Sequence, residues 1–310
     1  MATVTAGAKP ATRRGASGGA RRREALAGYA FALPFLLLFL VFTVGPVLAS
    51  LGMSFTDLRS ADISNPLAVE GVGLENYTKL MNDDSFQQAG INTAYFVLLG
   101  VPLTIVLALA VAVGLNSGIT RFKTFFRVGY YLPVVTSIVA IAVVWRFLLE
   151  PTSGLVNTVL GYVGIDGPAW LESTTWAMPS LIVMSAWRNM GTLVIIFLAG
   201  LQTVPAEMHE AAAIDGAGAW GRFRHITLPM LRPTLLFGAV ITGIGYLQFF
   251  EEPFVMTQGG PLDKTLSVAY YAYNQFGFGN YSYAAAMSYV LFVVIAVVTF
   301  LQFKWLGEKD

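Results

Sequence analysis

The sequence predicts an all-α membrane protein. It has six transmembrane helices, both termini in the cytosol, and a short cytosolic helix between the fourth and fifth spans. Three observations predict it. Only 12% of the 310 residues are charged, about half the fraction usual in soluble domains, and the mean hydropathy is +0.63. Long uncharged stretches alternate with short charged ones, the pattern of repeated membrane spans. The Lys and Arg residues fall in alternate connections between those stretches.

Residues 1–25 read as a disordered basic cytosolic tail, attracted to anionic membrane lipid. The next segment, 26–90, holds the first span and a long external loop. Residues 91–303 form the transmembrane core, and 304–310 a cytosolic tail. The first span covers about Ala27 to Ser50, inside an uncharged stretch from Ala25 to Thr56. Arg21, Arg22 and Arg23 before it imitate the start of a signal peptide, but a cleaved apolar region is only about 7–15 residues long. A retained anchor is therefore expected, and the same length tells against a twin-Arg export signal. The remaining spans are expected near Ala94–Leu115, Gly129–Leu149, Met178–Leu201, Leu235–Phe250 and Tyr283–Phe303. Pro34, Pro46, Pro102 and Pro133 lie in or near spans, where neighbouring helices satisfy the freed carbonyls.

Charge sets the orientation. Lys9, Arg13, Arg14, Arg21, Arg22 and Arg23 precede the first span. Arg121, Lys123 and Arg127 follow the second, Arg222, Arg224 and Arg232 follow the fourth, and Lys304 and Lys309 follow the sixth. The alternate loops carry only Arg59, Lys79 and Lys264. Positive residues stay cytosolic, so both termini are placed inside. The outer loops are acidic, with Asp57, Glu75, Asp83, Asp84, Glu150, Glu251 and Glu252 among their residues. The first two outer loops are long, as functional loops often are.

Several function classes are excluded. A formal net charge of +1 does not suit a globally basic nucleic-acid binder. No Cys is present, so disulfides, thiolate metal sites and Cys nucleophiles are ruled out. No metal or catalytic residue is assigned. The dipeptide Gly-Lys is absent, and with it the phosphate-cradling P-loop. Nor does H-E-x-x-H occur. Within the spans the charged candidates are Arg146, near an outer end where it can snorkel, and Arg188, deep in the fourth. An intramembrane Arg marks either function or a structural pairing.

The connection between spans four and five differs from the others. From Thr203 to Pro229 it reads T-V-P-A-E-M-H-E-A-A-A-I-D-G-A-G-A-W-G-R-F-R-H-I-T-L-P. Thr203 is expected to cap a short helix, with Pro205 in its first turn. Glu207 and Glu210 complement the positive end, and Gly216 suits the left-handed position that closes a helix. A second helical stretch is expected near Trp220–Ile226. The residues alone leave open whether this helix docks a partner or packs on its own protein.

Glu210-Ala211-Ala212, Asp215-Gly216 and then Ile226-x-Leu228-Pro229 resemble the EAA motif of permease subunits of binding-protein-dependent ABC importers. Met256-Thr257-Gln258-Gly259-Gly260-Pro261, the Tyr270-Tyr271-x-Tyr273 run, Gly73-Leu74-Glu75-Asn76-Tyr77 and Ala284-Ala285-Ala286 resemble the carbohydrate branch, of the maltose and glycerol-3-phosphate type. The likeness covers roughly residues 28 to 303. It is to compact six-span members, without the added spans and inserted domain of the maltose-type first permease.

That resemblance implies a subunit forming half of a translocation pore in a bacterial or archaeal inner membrane. Its partners would be a second homologous permease, two P-loop ATPase subunits and an external sugar-binding protein. This chain would bind no cofactor, because ATP and Mg²⁺ would sit on the ATPases. It implies ATPase coupling through Glu207, Glu210, Ala211, Ala212, Asp215 and Gly216. It implies a substrate path through Arg188, Asn189 and Thr192 before the loop and Tyr246, Phe249 and Glu251 after it. The family often has Asn where this chain has Tyr246 and Phe249, and read alone these rings equally suit helix packing. Cargo could be a sugar, or glycerol-3-phosphate or another polyol. A secondary carrier would want an intramembrane coupling acid and internal repeats, and neither is evident. A membrane enzyme would rest on His209-Glu210, which lacks a supporting metal or catalytic pattern.

Overall fold

The computed structural model describes residues 18–65, 69–116 and 123–306. Residues 1–17 of the expected tail, Arg121, and Lys309 of the C-terminal tail lie outside that set. Among the described residues the regular elements are helical, apart from one isolated bridge between Thr56 and Gly71. The chain divides into two compact units after Gly52.

The first unit holds α1 (Gly18–Phe39) and, after a π-helical turn at Leu40–Val44, α2 (Gly45–Met53). Pro46 has no N–H to donate, so the ladder shifts to a wider turn, with the Gly45 N–H reaching the Leu40 carbonyl. Helix begins at Gly18, inside the expected tail, because Ala20 to Leu26 are mostly good helix formers. Its apolar window, Ala25–Met53, is 0% buried. Such an apolar surface needs lipid or a partner.

The second unit opens with α3 (Glu75–Met81) and α4 (Asp84–Asn116). Next come α5 (Lys123–Val135), α6 (Ile138–Leu148), α7 (Leu155–Tyr162) and α8 (Ala177–Leu201). The EAA-like segment forms α9 (Ala206–Ile214), α10 (Ala219–Arg222), a π turn at Phe223–Thr227, and α11 (Leu228–Met230). The chain returns through α12 (Arg232–Leu247) and ends with α13 (Glu251–Met256), α14 (Val268–Gly277) and α15 (Tyr281–Leu306).

Four helices, counting the first unit's, are long and apolar enough to cross a membrane, and six do if two bent pairs each count as one. The expected third span is such a pair, with α5 and α6 meeting at 110°. Pro133 removes a ladder donor there. The Thr136 hydroxyl donates to the Leu132 carbonyl at 2.8 Å, and Ser137 adopts an extended ψ of 129°. The fifth is bent by 68° at Leu231, and Pro233 starts the new helix where its missing N–H costs nothing.

The core of this unit is the layer between α4, α8 and α12. Phe96 and Val101 of α4 meet Met178, Leu181 and Ile182 of α8. Further along, Ala108 and Ala112 meet Leu193, Val194 and Phe197. The two helices therefore run parallel. Helix α12 runs the other way. A Cβ on Gly100 would stand 2.8 Å from the Tyr246 ring, and one on Gly200 would stand 2.9 Å from Leu231. These glycines let the backbones approach, which drives packing where lipid removes the hydrophobic incentive.

Polar anchors tie the loops to this layer. The Asn76 amide donates to the carbonyls of Ser54 at 3.0 Å and Thr56 at 2.8 Å, and the hydroxyls of Tyr77 and Ser54 are 2.8 Å apart. The Gly-Leu-Glu-Asn-Tyr run is thus a staple for the first long loop. Asn92 of α4 donates to the carbonyls of Asp263 and Leu266, at 2.6 and 2.9 Å. It holds a turn in which Gln258, Gly259, Leu262 and Asp263 all have positive φ. Asp83 joins three elements. It accepts from Tyr271 at 2.8 Å, from Tyr283 at 2.6 Å, and from the Phe86 N–H at 3.1 Å.

Candidate functional site

Two places bring the expected site residues together. The first is a cavity of about 500 Å³ between α8, α12 and α13. Arg188, Asn189, Thr192, Tyr246, Phe249 and Glu251 all line it. Helical spacing explains the first three, since residues i, i+1 and i+4 share one face. The rings of Tyr246 and Phe249, however, are only 4% and 3% exposed. Tyr246 shares a hydrogen bond of 2.8 Å with Thr104. Phe249 stacks on Phe96 with centroids 3.9 Å apart, and Tyr246 meets the same ring edge-on at 5.0 Å. Both rings build the floor rather than project into the space.

The polar wall is made by Arg188, Asn189, Glu251 and Glu252. Arg188 Nη1 donates to Asn189 Oδ1 at 3.3 Å, while its Nε is buried with no hydrogen-bond partner. Glu252 is 6% exposed and accepts from the Ser185 hydroxyl at 3.0 Å. Sequence reasoning chose Glu251, which is exposed, and left Glu252 among the loop acids. The distinction comes from the fold. Glu252, Pro253 and Met256 are the buried residues of α13, at the i, i+1, i+4 spacing of one helix face.

The second place is α9 with its flanks. No residue of α9 is buried. Glu207, Glu210, Ala211, Asp215 and Gly216 are exposed and Ala212 half-buried. Ile214 is 87% exposed and Trp220 71%. Thr203 is not the cap: its hydroxyl donates back to the Gly200 carbonyl at 2.8 Å, and Pro205 holds the capping position with an extended ψ of 132°. A carbonyl one turn back was nearer than the N–H groups ahead, the usual competition for a Thr hydroxyl. The far end is as expected. Gly216 has φ +83°, so the Ala217 N–H reaches the Ala212 carbonyl at 2.8 Å and the Gly216 N–H reaches Ala213 at 3.1 Å. This is a Schellman closure, satisfying carbonyls the helix would otherwise leave open. The expected helix near Trp220–Ile226 is present as α10 and the π turn.

The two places share supports. Helix α9 hangs from α8 through residues 202–205 and leads through α10, the π turn and α11 into α12. Those are the helices that wall the cavity. Leu231, fully buried at the bend, packs against Gly200 at the end of α8. Helix α9 is therefore joined to both walls by short connections.

Comparison with known proteins gives three further findings. The family described as "Binding-protein-dependent transport system inner membrane component" matches residues 100–308. The lactose transport system permease protein LacF of Rhizobium radiobacter is 38% identical over 288 residues, spanning 91% of this chain and 94% of the relative. Among solved structures, a bacterial ABC transporter involved in import of the acidic polysaccharide alginate superposes with a TM-score of 0.74 at 26% identity, covering 93% of this chain and 97% of that one. A bacterial alginate ABC transporter solved in complex with alginate pentasaccharide-bound periplasmic protein also superposes, with a TM-score of 0.74 at 26% identity, covering 92% of this chain and 94% of that one.

Proposed function

The chain belongs to the family of binding-protein-dependent transport system inner membrane components, and from that premise we propose that it is the permease subunit of an ATP-driven sugar importer. It forms half of the translocation pore, and a second homologous permease forms the rest. Two P-loop ATPase subunits hold ATP and Mg²⁺, and an external binding protein delivers the cargo. The alginate transporter, solved with its periplasmic protein, supports that assembly.

One observation carries the coupling role. Helix α9 has no buried residue, yet it is built with a complete C-terminal closure and carries Ile214 exposed at its end. A rigid, unpartnered helix between two pore helices suits insertion into a cleft on another subunit. Glu207 and Glu210 can meet basic groups there, and Ala211 and Ala212 allow close approach. Closure of the ATPases then moves α9, and α8 and α12 move with it, so the cavity changes the side to which it opens. On this reading each bent pair is one span, the total is six, and both termini are cytosolic. The basic segment ahead of the first apolar window is then cytosolic, with its residues 18–25 part of α1. The cavity wall of Arg188, Asn189, Thr192, Tyr246, Phe249 and Glu251 lines the substrate path, with the two rings as floor.

The test is purification in mild detergent from native membranes, with co-purifying chains identified by mass spectrometry. Recovery with a P-loop ATPase and a second EAA-bearing permease is expected. Recovery without either, together with uptake that follows the proton gradient and ignores ATP, would overturn the reading in favour of a secondary carrier. Orientation is tested separately. The chain has no Cys, so single cysteines placed at Ala206 and at Leu262 report their sides without background. Labelling of both from the same side would overturn the orientation.

A further inference from the structure

The likeness to other importers leaves the charge of the cargo open, because one solved relative carries an acidic polysaccharide. The side chains of the cavity wall bear on that question. Arg188 and Glu252 line the same space, yet no ion pair joins them: among the described residues the one salt bridge is Lys79 to Glu75. Each keeps unused hydrogen-bonding capacity. Arg188 has a buried Nε with no partner. Glu252 accepts from Ser185 through one carboxyl oxygen, Oε1. A buried donor such as the Arg188 Nε is costly to leave unmet, so the arrangement suits a site completed by something else.

We propose that Glu252 is a specificity residue that makes this wall accept an uncharged polyhydroxylated cargo and reject an anionic one. A sugar hydroxyl both donates and accepts. It can accept from the Arg188 guanidinium while a hydroxyl beside it donates to the Glu252 carboxyl, bridging two groups that do not reach each other. The anionic group of a phosphate ester or uronate, by contrast, only accepts. It would satisfy Arg188 but would bring further negatively charged acceptor oxygens against the carboxyls of Glu251 and Glu252, which line the same cavity. This inference rests on the sugar-importer reading and narrows its cargo to the neutral class, against the glycerol-3-phosphate alternative.

The experiment uses the complete importer in cells. ATP-dependent uptake of radiolabelled lactose, maltose and trehalose is measured, each with and without excess of its own 6-phosphate. The expected result is uptake of at least one neutral sugar, with its phosphate inhibiting at least tenfold more weakly than the unlabelled sugar itself. Glu252→Gln keeps an oxygen for Ser185 and the side-chain volume, so folding should survive. It should narrow that ratio at least fivefold while assembly, read by co-purification, is unchanged. Arg188→Gln should depress neutral uptake without narrowing it. Equal inhibition by the phosphate in the native protein, or an unchanged ratio in Glu252→Gln, would overturn the proposal and leave the importer standing. Absence of ATP-dependent uptake of every neutral sugar would instead sink the sugar-importer reading on which it rests.

Discussion

Replacing Gly216 should loosen the coupling helix without disturbing anything else. Its φ of +83° lies where an L-residue's Cβ meets the neighbouring carbonyl, at a cost of about 1–2 kcal/mol. A Cβ built there meets nothing within 4 Å, so no packing clash adds to the cost and the whole effect is conformational. Gly216→Ala should therefore weaken the Schellman closure by about 1–2 kcal/mol, a factor of about 5–30 in its opening equilibrium. Asn tolerates the left-handed region better than Ala, and a β-branched residue tolerates it worst, so damage should rise from Asn through Ala to Val. Hydrogen exchange of the Ala217 amide, which closes onto Ala212 at 2.8 Å, reads the opening directly. ATP-dependent uptake per assembled complex reads the consequence. Uncoupling should follow the same order, with ATPase activity kept and transport lost. Equal exchange in Asn and Val variants, or normal transport by Gly216→Val, would refute the argument that backbone conformation at this glycine carries the force.

Other outcomes follow from single contacts. Glu210→Lys should leave insertion intact but abolish transport; normal uptake would remove Glu210 from the coupling surface. Asp83→Asn weakens hydrogen bonds from Tyr271 and Tyr283 and should cost about 1–3 kcal/mol, measured by thermal unfolding of the detergent-solubilised complex. Burial opposes the charge on Asp83, but bonds from Tyr283, Tyr271 and the N–H groups of Phe86 and Ser85 outweigh it and hold the carboxyl below its ordinary value. Its stabilisation is thus complete above about pH 4, the unfolded value, and is lost as pH falls through the lower folded one; Asp83→Asn should flatten that acid limb. At the other extreme, burial and the Asp83 contact push Tyr271 up to about 12. Its protonated form stabilises fully below about pH 10, the unfolded value, and the benefit is lost as pH rises towards 12. Tyr271→Phe should remove that alkaline loss. Gly100→Ala places a Cβ 2.8 Å from a Tyr246 ring already held by Thr104 and Phe96, and should cost about 1–3 kcal/mol as overpacking. An unchanged melting temperature would show that the ring has room to move.

The sequence by itself determined the helical membrane class, the long apolar helices that could cross a membrane and the closure at Gly216. These depend on local terms that a linear reading captures: the transfer of about 20 apolar residues into lipid, and the steric freedom of glycine. It also grouped Arg188, Asn189 and Thr192, which line one cavity wall, because their spacing keeps them on neighbouring positions of one helix whatever surrounds them. Only the tertiary structure decided the rest. The bends at Ser137 and Leu231 arise where Pro133 and Pro233 interrupt a ladder, and a proline alone does not say whether a helix kinks or continues, as Pro102 within α4 shows. Thr203 turned back to Gly200 because α8 ends beside it. Tyr246 and Phe249 became floor because Phe96, far away in sequence, lies beneath both. Glu251 and Glu252 are adjacent acids in the sequence, and only the packing of α13 against α8 turns one outward and buries the other against Ser185. Burial is set by what a side chain meets across the fold, and the chain order of two neighbours carries no record of it.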